Sequence, residues 1–239
     1  MISGVRGLNR LSSLLLLFSL VGCSPERESA APAGPGDGWA GEEAGAFDAP
    51  EIPAGAPRVV FLGDSISAGL HLEADLAFPA ELQRRMVERG LPFELVNAGV
   101  SGDTTSGGRA RLDWILRQNP QVVVVELGGN DGLRGIELEL IEDNLRGIVE
   151  GARAAGAVPL LLGMQMPPSY GDAYAQGFRA LYGELAEELG VPFVEQFLDG
   201  VGGVRKLNLP DGIHPNAAGH RGLADNVEGA LAEVLEGLE

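Results

Sequence analysis

Residues 59–67 read VVFLGDSIS, an apolar run followed at once by glycine, aspartate and serine. The run is continuous rather than alternating, which is typical of a strand that helices cover on both faces of a parallel sheet. Open parallel sheets bind their ligands outside the carboxyl ends of the strands. We therefore expect Ser65 to lie where its hydroxyl can meet a ligand.

A second motif near the end of the chain complements this serine. Residues 211–215 read DGIHP. A serine hydroxyl is a weak nucleophile until a base accepts its proton and a third group orients that base. His214 and Asp211 are candidates for these two roles, and their spacing allows one loop to carry both. The chain has no Gly-x-Ser-x-Gly elbow, which argues against the α/β-hydrolase fold.

Short β-rich runs alternate with longer segments of helical periodicity after residue 57, which is the βαβ pattern. Apolar residues at 141, 145, 148 and 152, and again from 223 to 238, mark amphipathic helices. The predicted fold is a three-layer α/β/α sandwich around a five-stranded parallel sheet, similar to flavodoxin. The predicted strands are Arg58–Leu62, Glu94–Val96, Val122–Leu127, Val158–Leu162 and Phe193–Val194.

The charge of the chain excludes some classes of partner. Its 239 residues include 34 acidic and 17 basic side chains, so the formal net charge is −17. Such a surface repels nucleic acid and is not attracted to anionic lipid headgroups. Three histidines and one cysteine, without metal-ligand spacing, predict no metal site and no cofactor.

The amino terminus predicts export. Two arginines precede a largely apolar stretch, residues 11–20, which is about half the ~20 residues that a spanning helix needs. Residues 20–23, LVGC, resemble the bacterial lipoprotein box, in which the cysteine is lipidated and becomes the mature N-terminus. Cys23 is the only cysteine, so no internal disulfide can form. We therefore predict a lipoprotein signal peptide over residues 1–22 and a lipid anchor on Cys23.

A linker follows this anchor. Residues 23–57 are acidic and rich in proline, glycine and alanine, with too little apolar surface to offset the entropy of ordering the segment. The remaining residues, 58–239, form the predicted domain. Ser24, rather than aspartate, follows Cys23, and by resemblance to lipoprotein sorting in Gram-negative bacteria this favours the outer membrane, facing the periplasm.

Two further segments lie at predicted strand ends. Residues 96–104 read VNAGVSGDT and residues 125–135 read VELGGNDGLRG. Together with GDSIS and DGIHP, in this order, they resemble the SGNH, or GDSL-type, hydrolase family, and most of all its bacterial thioesterase I, lysophospholipase L1 and arylesterase group. The resemblance covers residues 58–239, and Ile66 is a conservative departure from the usual leucine.

The resemblance implies specific roles at the matching positions. Ser65 would be the nucleophile, His214 the general base and Asp211 the residue that orients the imidazole. The backbone N–H groups of Ser65 and Gly102 and the side-chain amide of Asn130 would form the oxyanion hole. His71 and His220 match no catalytic position, and the aspartates at 64 and 131 are predicted to stabilise turns.

The implied reaction is hydrolysis of carboxylic esters or thioesters through an acyl-enzyme, with acyl thioesters, lysophospholipids or aryl esters as substrates. Two alternatives remain open: a carbohydrate O-acetylesterase of the same family, and a surface lipoprotein that binds acyl ligands without hydrolysing them. Apolar side chains in loops after the strands are the candidate substrate contacts: Leu133, Ile136, Met166, Pro167 and Tyr170, with Met164 as a weaker candidate.

Overall fold

A computed structural model of the chain describes residues 50–238. The predicted signal peptide, Cys23 and the linker as far as residue 49 lie outside the described residues. Residues 50–57 lead into the first strand, and the carbonyl of Pro57 accepts the backbone N–H of Glu94 at 2.8 Å. That strand begins at Arg58.

The core is a five-stranded sheet whose neighbouring strands all pair in parallel, in the order β2-β1-β3-β4-β5. The predicted strands are confirmed, with differences of one residue at three carboxyl ends. The strands are β1 (Arg58–Gly63), β2 (Glu94–Asn97), β3 (Val122–Glu126), β4 (Val158–Leu162) and β5 (Phe193–Val194).

Eight α-helices and three short 3-10 turns connect these strands within the described residues. The 3-10 turns are Ala74–Leu76, Pro168–Tyr170 and Arg205–Leu207. The helices are α1 (Ser65–Ala68), α2 (Phe78–Glu88), α3 (Thr105–Ala110), α4 (Leu112–Leu116), α5 (Gly129–Leu133), α6 (Leu138–Ala154), α7 (Asp172–Leu189) and α8 (Ala217–Glu236).

The helices form two layers. Helix α2 packs against α8, whereas α6 packs against α3 and α7. The central strand β3 is fully buried from Val122 to Glu126, as its continuous apolar run predicts. The predicted fold class, an α/β/α sandwich with a five-stranded parallel sheet, is confirmed.

The strand order locates the site. The connection from β1 goes outward to β2, and the next connection crosses back to β3, on the other side of β1. A crevice opens outside the carboxyl ends of the strands where the direction of winding reverses, here between β1 and β3. No helix among residues 50–238 is long and apolar enough to cross a membrane.

Candidate active site

Ser65 is the first residue of α1 and follows β1 across a one-residue turn. Asp64 caps this helix, because its Oδ1 accepts the backbone N–H of Ile66 at 2.9 Å. Ser65 is largely buried, with 7 % exposure, and its hydroxyl contacts a side chain of the loop before α8. The local sequence thus presents one hydroxyl at the crevice.

Gly63 makes the turn possible. A Cβ at this position would collide with the Ser67 hydroxyl and would lie 2.6 Å from Oε2 of Glu126. The glycine of the GDSIS segment therefore leaves room beneath Ser65 for a serine and a carboxyl group.

The structure brings the three predicted triad side chains into one hydrogen-bonded chain. Ser65 Oγ lies 2.9 Å from His214 Nε2, and His214 Nδ1 lies 2.7 Å from Asp211 Oδ2. These distances suit transfer of a proton from the serine to an imidazole whose other nitrogen is held by a carboxylate.

A short loop before α8 holds the acid and the base. The backbone N–H of Leu209 donates to the carbonyl of His214 at 2.7 Å, and that of Gly212 donates to Leu209 at 2.9 Å. Gly212 has φ of +72°, a conformation that favours glycine. Asp211 and His214 therefore come from one loop, as their spacing predicts.

Asp211 is stabilised as an anion. Its Oδ1 accepts the backbone N–H of His214 at 3.0 Å and that of Ile213 at 2.9 Å. These two bonds, followed by the bond from the His214 side chain, lower the pKa of Asp211 to about 2. The carboxylate stays ionised at neutral pH and can stabilise a charged imidazole.

The two other candidate oxyanion donors follow the ends of β2 and β3. Gly102 is exposed between β2 and α3 with φ of +80°, and its carbonyl accepts the Arg134 guanidinium at 3.1 Å. Asn130, on α5 after β3, donates from Nδ2 to Asp64 Oδ2 at 2.9 Å. Because an amide has two N–H groups, one remains for a ligand.

Sequence reasoning missed the acid beneath the turn, Glu126. It ends β3 with its side chain fully buried, and Oε2 accepts the Ser67 hydroxyl at 2.6 Å. Burial, followed by the nearby Asp64, raises the pKa of Glu126 well above its ordinary value. Burial also raises the pKa of Asp64. A charged residue at the end of an otherwise apolar strand was the available signal.

Arg111 is a second residue that sequence reasoning missed. Its guanidinium donates to the carbonyl of Ala98 at 2.7 Å and to that of Gly63 at 3.0 Å, and it pairs with Asp103 at 2.8 Å. It therefore ties together the carboxyl ends of β1 and β2. No spacing in the sequence marks this contact, which depends on tertiary structure.

The candidate substrate contacts divide by exposure. Leu133, Pro167 and Tyr170 are exposed, whereas Ile136 is half-buried against the core. Met166 is also half-buried, and a Cβ at Gly132 would lie 2.5 Å from its sulfur. The weaker candidate, Met164, is buried in the core with 2 % exposure, so a ligand cannot reach it without rearrangement.

The two other histidines lie apart from the hydrogen-bonded chain. His71 is exposed. His220 is buried on α8, where its Nδ1 accepts the backbone N–H of Phe78 at 3.1 Å, and burial lowers its pKa to about 4. It thus remains neutral at neutral pH and gives a hydrogen-bond acceptor to a backbone N–H in the first turn of α2. Among the described residues, no cluster of histidine, cysteine and acidic side chains could hold a metal ion.

Comparison with known proteins identifies relatives over the same region. Residues 61–221 match the model of the GDSL-like lipase/acylhydrolase family. The chain is 44 % identical over 183 residues to esterase TesA of Pseudomonas aeruginosa, covering 76 % of this chain and 91 % of that protein. It is 42 % identical over 173 residues to thioesterase 1/protease 1/lysophospholipase L1 of Escherichia coli K12, covering 72 % and 82 %.

A solved structure agrees with these relationships. The crystal structure of TesA superposes with a TM-score of 0.72 at 44 % identity, covering 74 % of this chain and 99 % of that one. The similarity therefore extends over almost the whole of a related esterase fold.

Proposed function

The chain belongs to the GDSL-like lipase/acylhydrolase family and hydrolyses ester bonds, and from this premise we propose that Ser65, His214 and Asp211 are its catalytic triad. The 2.9 Å contact between Ser65 Oγ and His214 Nε2 is the observation that carries the proposal. The substrates are small-molecule esters or thioesters.

In the proposed mechanism Ser65 Oγ attacks the acyl carbonyl carbon while His214 Nε2 accepts the hydroxyl proton. The tetrahedral intermediate then collapses, and the imidazolium gives that proton to the leaving alcohol or thiol. Water attacks the acyl-enzyme in the second half, again with His214 as base, and releases the carboxylic acid and free Ser65. Asp211 keeps the imidazole in the required tautomer throughout.

The oxyanion of each tetrahedral intermediate needs donors that are already in place. We assign this role to the backbone N–H groups of Ser65 and Gly102 and to the free N–H of the Asn130 amide. Gly102 supports this assignment because it is exposed and carries no side chain of its own, and the Asn130 amide is held by Asp64.

For the acyl group, we propose that the apolar side chains after β3 and β4 form the contact surface. Leu133 and Tyr170 are both accessible, at 41 % and 40 % exposure. Ile136, Met166 and Pro167 complete the set. Exposed apolar side chains in these loops favour acyl esters and thioesters over acetylated carbohydrate.

One panel tests mechanism and substrate class together. Hydrolysis of p-nitrophenyl esters, acyl-CoA, lysophospholipid and acetylated polysaccharide is measured with the wild type, Ser65→Ala and the exposed-serine control Ser106→Ala. We expect Ser65→Ala alone to abolish hydrolysis and fluorophosphonate labelling. Activity confined to acetylated polysaccharide would support the O-acetylesterase alternative, and a folded wild type that reacts with nothing would support the ligand-binding alternative.

The pH profile tests the base separately. We expect kcat/KM to rise between about pH 5 and about pH 8, because general-base catalysis by an imidazole needs its neutral form. A flat profile over this range would contradict the role of His214.

We also propose that Cys23 carries a lipid anchor and that the enzyme faces the periplasm from the outer membrane. The support is the LVGC segment after the short apolar stretch. Each buried methylene of an attached acyl chain contributes about 0.8 kcal/mol of membrane binding, so several chains suffice without a basic patch. Mass spectrometry of membrane-extracted protein should find lipid on Cys23. The Cys23→Ala variant should no longer be recovered in the membrane fraction. An unmodified Cys23 in membrane-extracted protein would exclude the anchor.

A further inference from the structure

Glu126 occupies a position that the triad and the oxyanion donors do not explain. It is the Cα partner of Gly63 across the β1–β3 ladder, so its carboxyl group lies directly beneath the turn that carries Ser65. The side chain is fully buried. A buried ionisable group of this kind lowers the stability of the fold unless neighbouring groups form hydrogen bonds or ion pairs with it.

One oxygen of this carboxyl group accepts all of its hydrogen bonds. Oε2 of Glu126 accepts the Ser67 hydroxyl at 2.6 Å, the Ser67 backbone N–H at 3.1 Å and the Asp64 backbone N–H at 3.2 Å. Oε1 is buried and has no hydrogen-bond partner among residues 50–238. A carboxylate with one unpartnered oxygen is an unfavourable buried anion.

A proton on Glu126 resolves this imbalance. Asp64 is a second, nearly buried carboxyl group beside it, and two such groups cannot both ionise cheaply. Asp64 accepts the N–H groups of Ile66 and Asn130, which lower its pKa against the opposing and larger effect of burial. Glu126 is then the neutral member of the pair, and Asp64 is the acceptor that is left with negative charge.

Asp64 connects this pair to the reaction. Its two oxygens have different partners: Oδ1 accepts the Ile66 N–H at the start of α1, and Oδ2 accepts Asn130 Nδ2. The orientation of the Asn130 amide therefore depends on where the Asp64 carboxylate is held.

We propose that Glu126 is a positioning residue, whose carboxyl group fixes Asp64 and, through Asp64, holds the Asn130 amide in the orientation that an oxyanion needs. This inference rests on the proposed function, because Asn130 matters only if the oxyanion forms at Ser65. An oxyanion donor acts in the transition state, so a misplaced donor lowers kcat and leaves KM nearly unchanged.

The experiment measures kcat and KM on a p-nitrophenyl ester for five variants, with circular dichroism and thermal unfolding as folding checks. Glu126→Ala removes the carboxyl group, Glu126→Gln replaces it with a neutral donor and acceptor, and Asn130→Ala removes the amide. The double variant of Glu126→Ala and Asn130→Ala tests whether Glu126 affects kcat through the Asn130 amide. Ser67→Ala is the matched control, because it removes the shortest bond to Glu126 but no contact of Asp64.

We expect Glu126→Ala to lower kcat about 10- to 100-fold, with KM changed less than about twofold. Glu126→Gln should restore kcat to within about threefold of the wild type, because the amide reproduces the neutral acid. In the Asn130→Ala background, Glu126→Ala should lower kcat by less than about threefold, because both substitutions disturb the same oxyanion donor and their effects are not additive.

Three results would overturn the proposal: an unchanged kcat in Glu126→Ala, full additivity in the double variant, or a Ser67→Ala loss equal to that of Glu126→Ala. If Glu126→Ala does not fold, Asp64→Asn takes its place in the cycle with Asn130→Ala, and additivity there overturns the proposal. Full activity in Ser65→Ala would instead overturn the proposed function, so the two failures are distinguishable.

Discussion

Two carboxyl-containing pairs near Ser65 have opposite electrostatic character. In the surface loop before α8, Asp211 pairs with His214, and 40 % of the Asp211 side chain is exposed. Beneath the serine turn, Asp64 pairs with Glu126, and both are buried. The pKa of Asp211 is lowered to about 2, whereas the pKa values of Asp64 and Glu126 are raised.

Hydrogen bonds alone do not explain this difference. Asp211 and Glu126 each accept two backbone N–H groups and a side-chain donor. Water reaches Asp211, so the bonds dominate and favour the anion. Glu126 is fully buried and has a second carboxyl group as neighbour, so desolvation dominates and favours the acid. The same carboxyl chemistry thus supplies an ionised group in the exposed loop, Asp211, and a neutral acid beneath the serine turn, Glu126.

The largest effect is expected from the exposed pair. Asp211→Asn should lower kcat by about 10³- to 10⁴-fold with little change in KM, because His214 Nδ1–H then lacks its carboxylate and the wrong tautomer is favoured. Steady-state hydrolysis of a p-nitrophenyl ester measures this, with Asp113→Asn on α4 as an exposed-aspartate control. A loss of less than about tenfold would show that the proposed triad does not depend on Asp211.

Glycine substitutions compare the packing of the two regions. Gly63→Ala should lower the free energy of unfolding by about 2–3 kcal/mol, because its methyl group would collide with Ser67 and approach Glu126. Gly212→Ala, in the exposed loop, meets no atom within 4 Å and should cost only about 1 kcal/mol, from its left-handed backbone. Urea denaturation measures both, and an equal cost at the two sites would contradict the tight packing beneath Ser65.

The pH dependence of stability separates the pairs by sign. The raised pKa of Glu126 means that the unfolded chain releases this proton at lower pH than the folded one. Stability should therefore fall as pH rises above about 4.5, by up to about 1.4 kcal/mol per pH unit for each group, and Glu126→Gln should flatten this decline. The decline is measured by urea denaturation at successive pH values.

Asp211 provides the comparison for this measurement. Its lowered pKa stabilises the fold above the ordinary value of 3.8, and this contribution is lost as pH falls toward about 2. Asp211→Asn should therefore remove this stabilisation at neutral pH and change the slope of the stability profile only on its acid side, between about pH 2 and about pH 4. An unchanged slope above about pH 4.5 in Glu126→Gln would contradict the neutral state of Glu126.

Local patterns predicted most of the fold. The strands were predicted to within one residue because continuous apolar runs between polar segments leave few alternatives. The contact between Ser65 and the Asp211–His214 loop was also predictable. Ser65 directly follows a predicted strand, and Asp211 and His214 are only three residues apart. The signal peptide, the Cys23 anchor and the roles of the site residues remain predictions.

The sequence by itself determined the sheet, its two helical layers and the candidate residues, because each depends on the spacing of apolar and polar side chains along the chain. Only the tertiary structure decided that Glu126 lies beneath the serine turn, that Asp64 holds Asn130 and that Met164 is buried. These contacts join residues from separate strands, and burial rather than residue type sets their charge. Neither property is encoded in a local pattern.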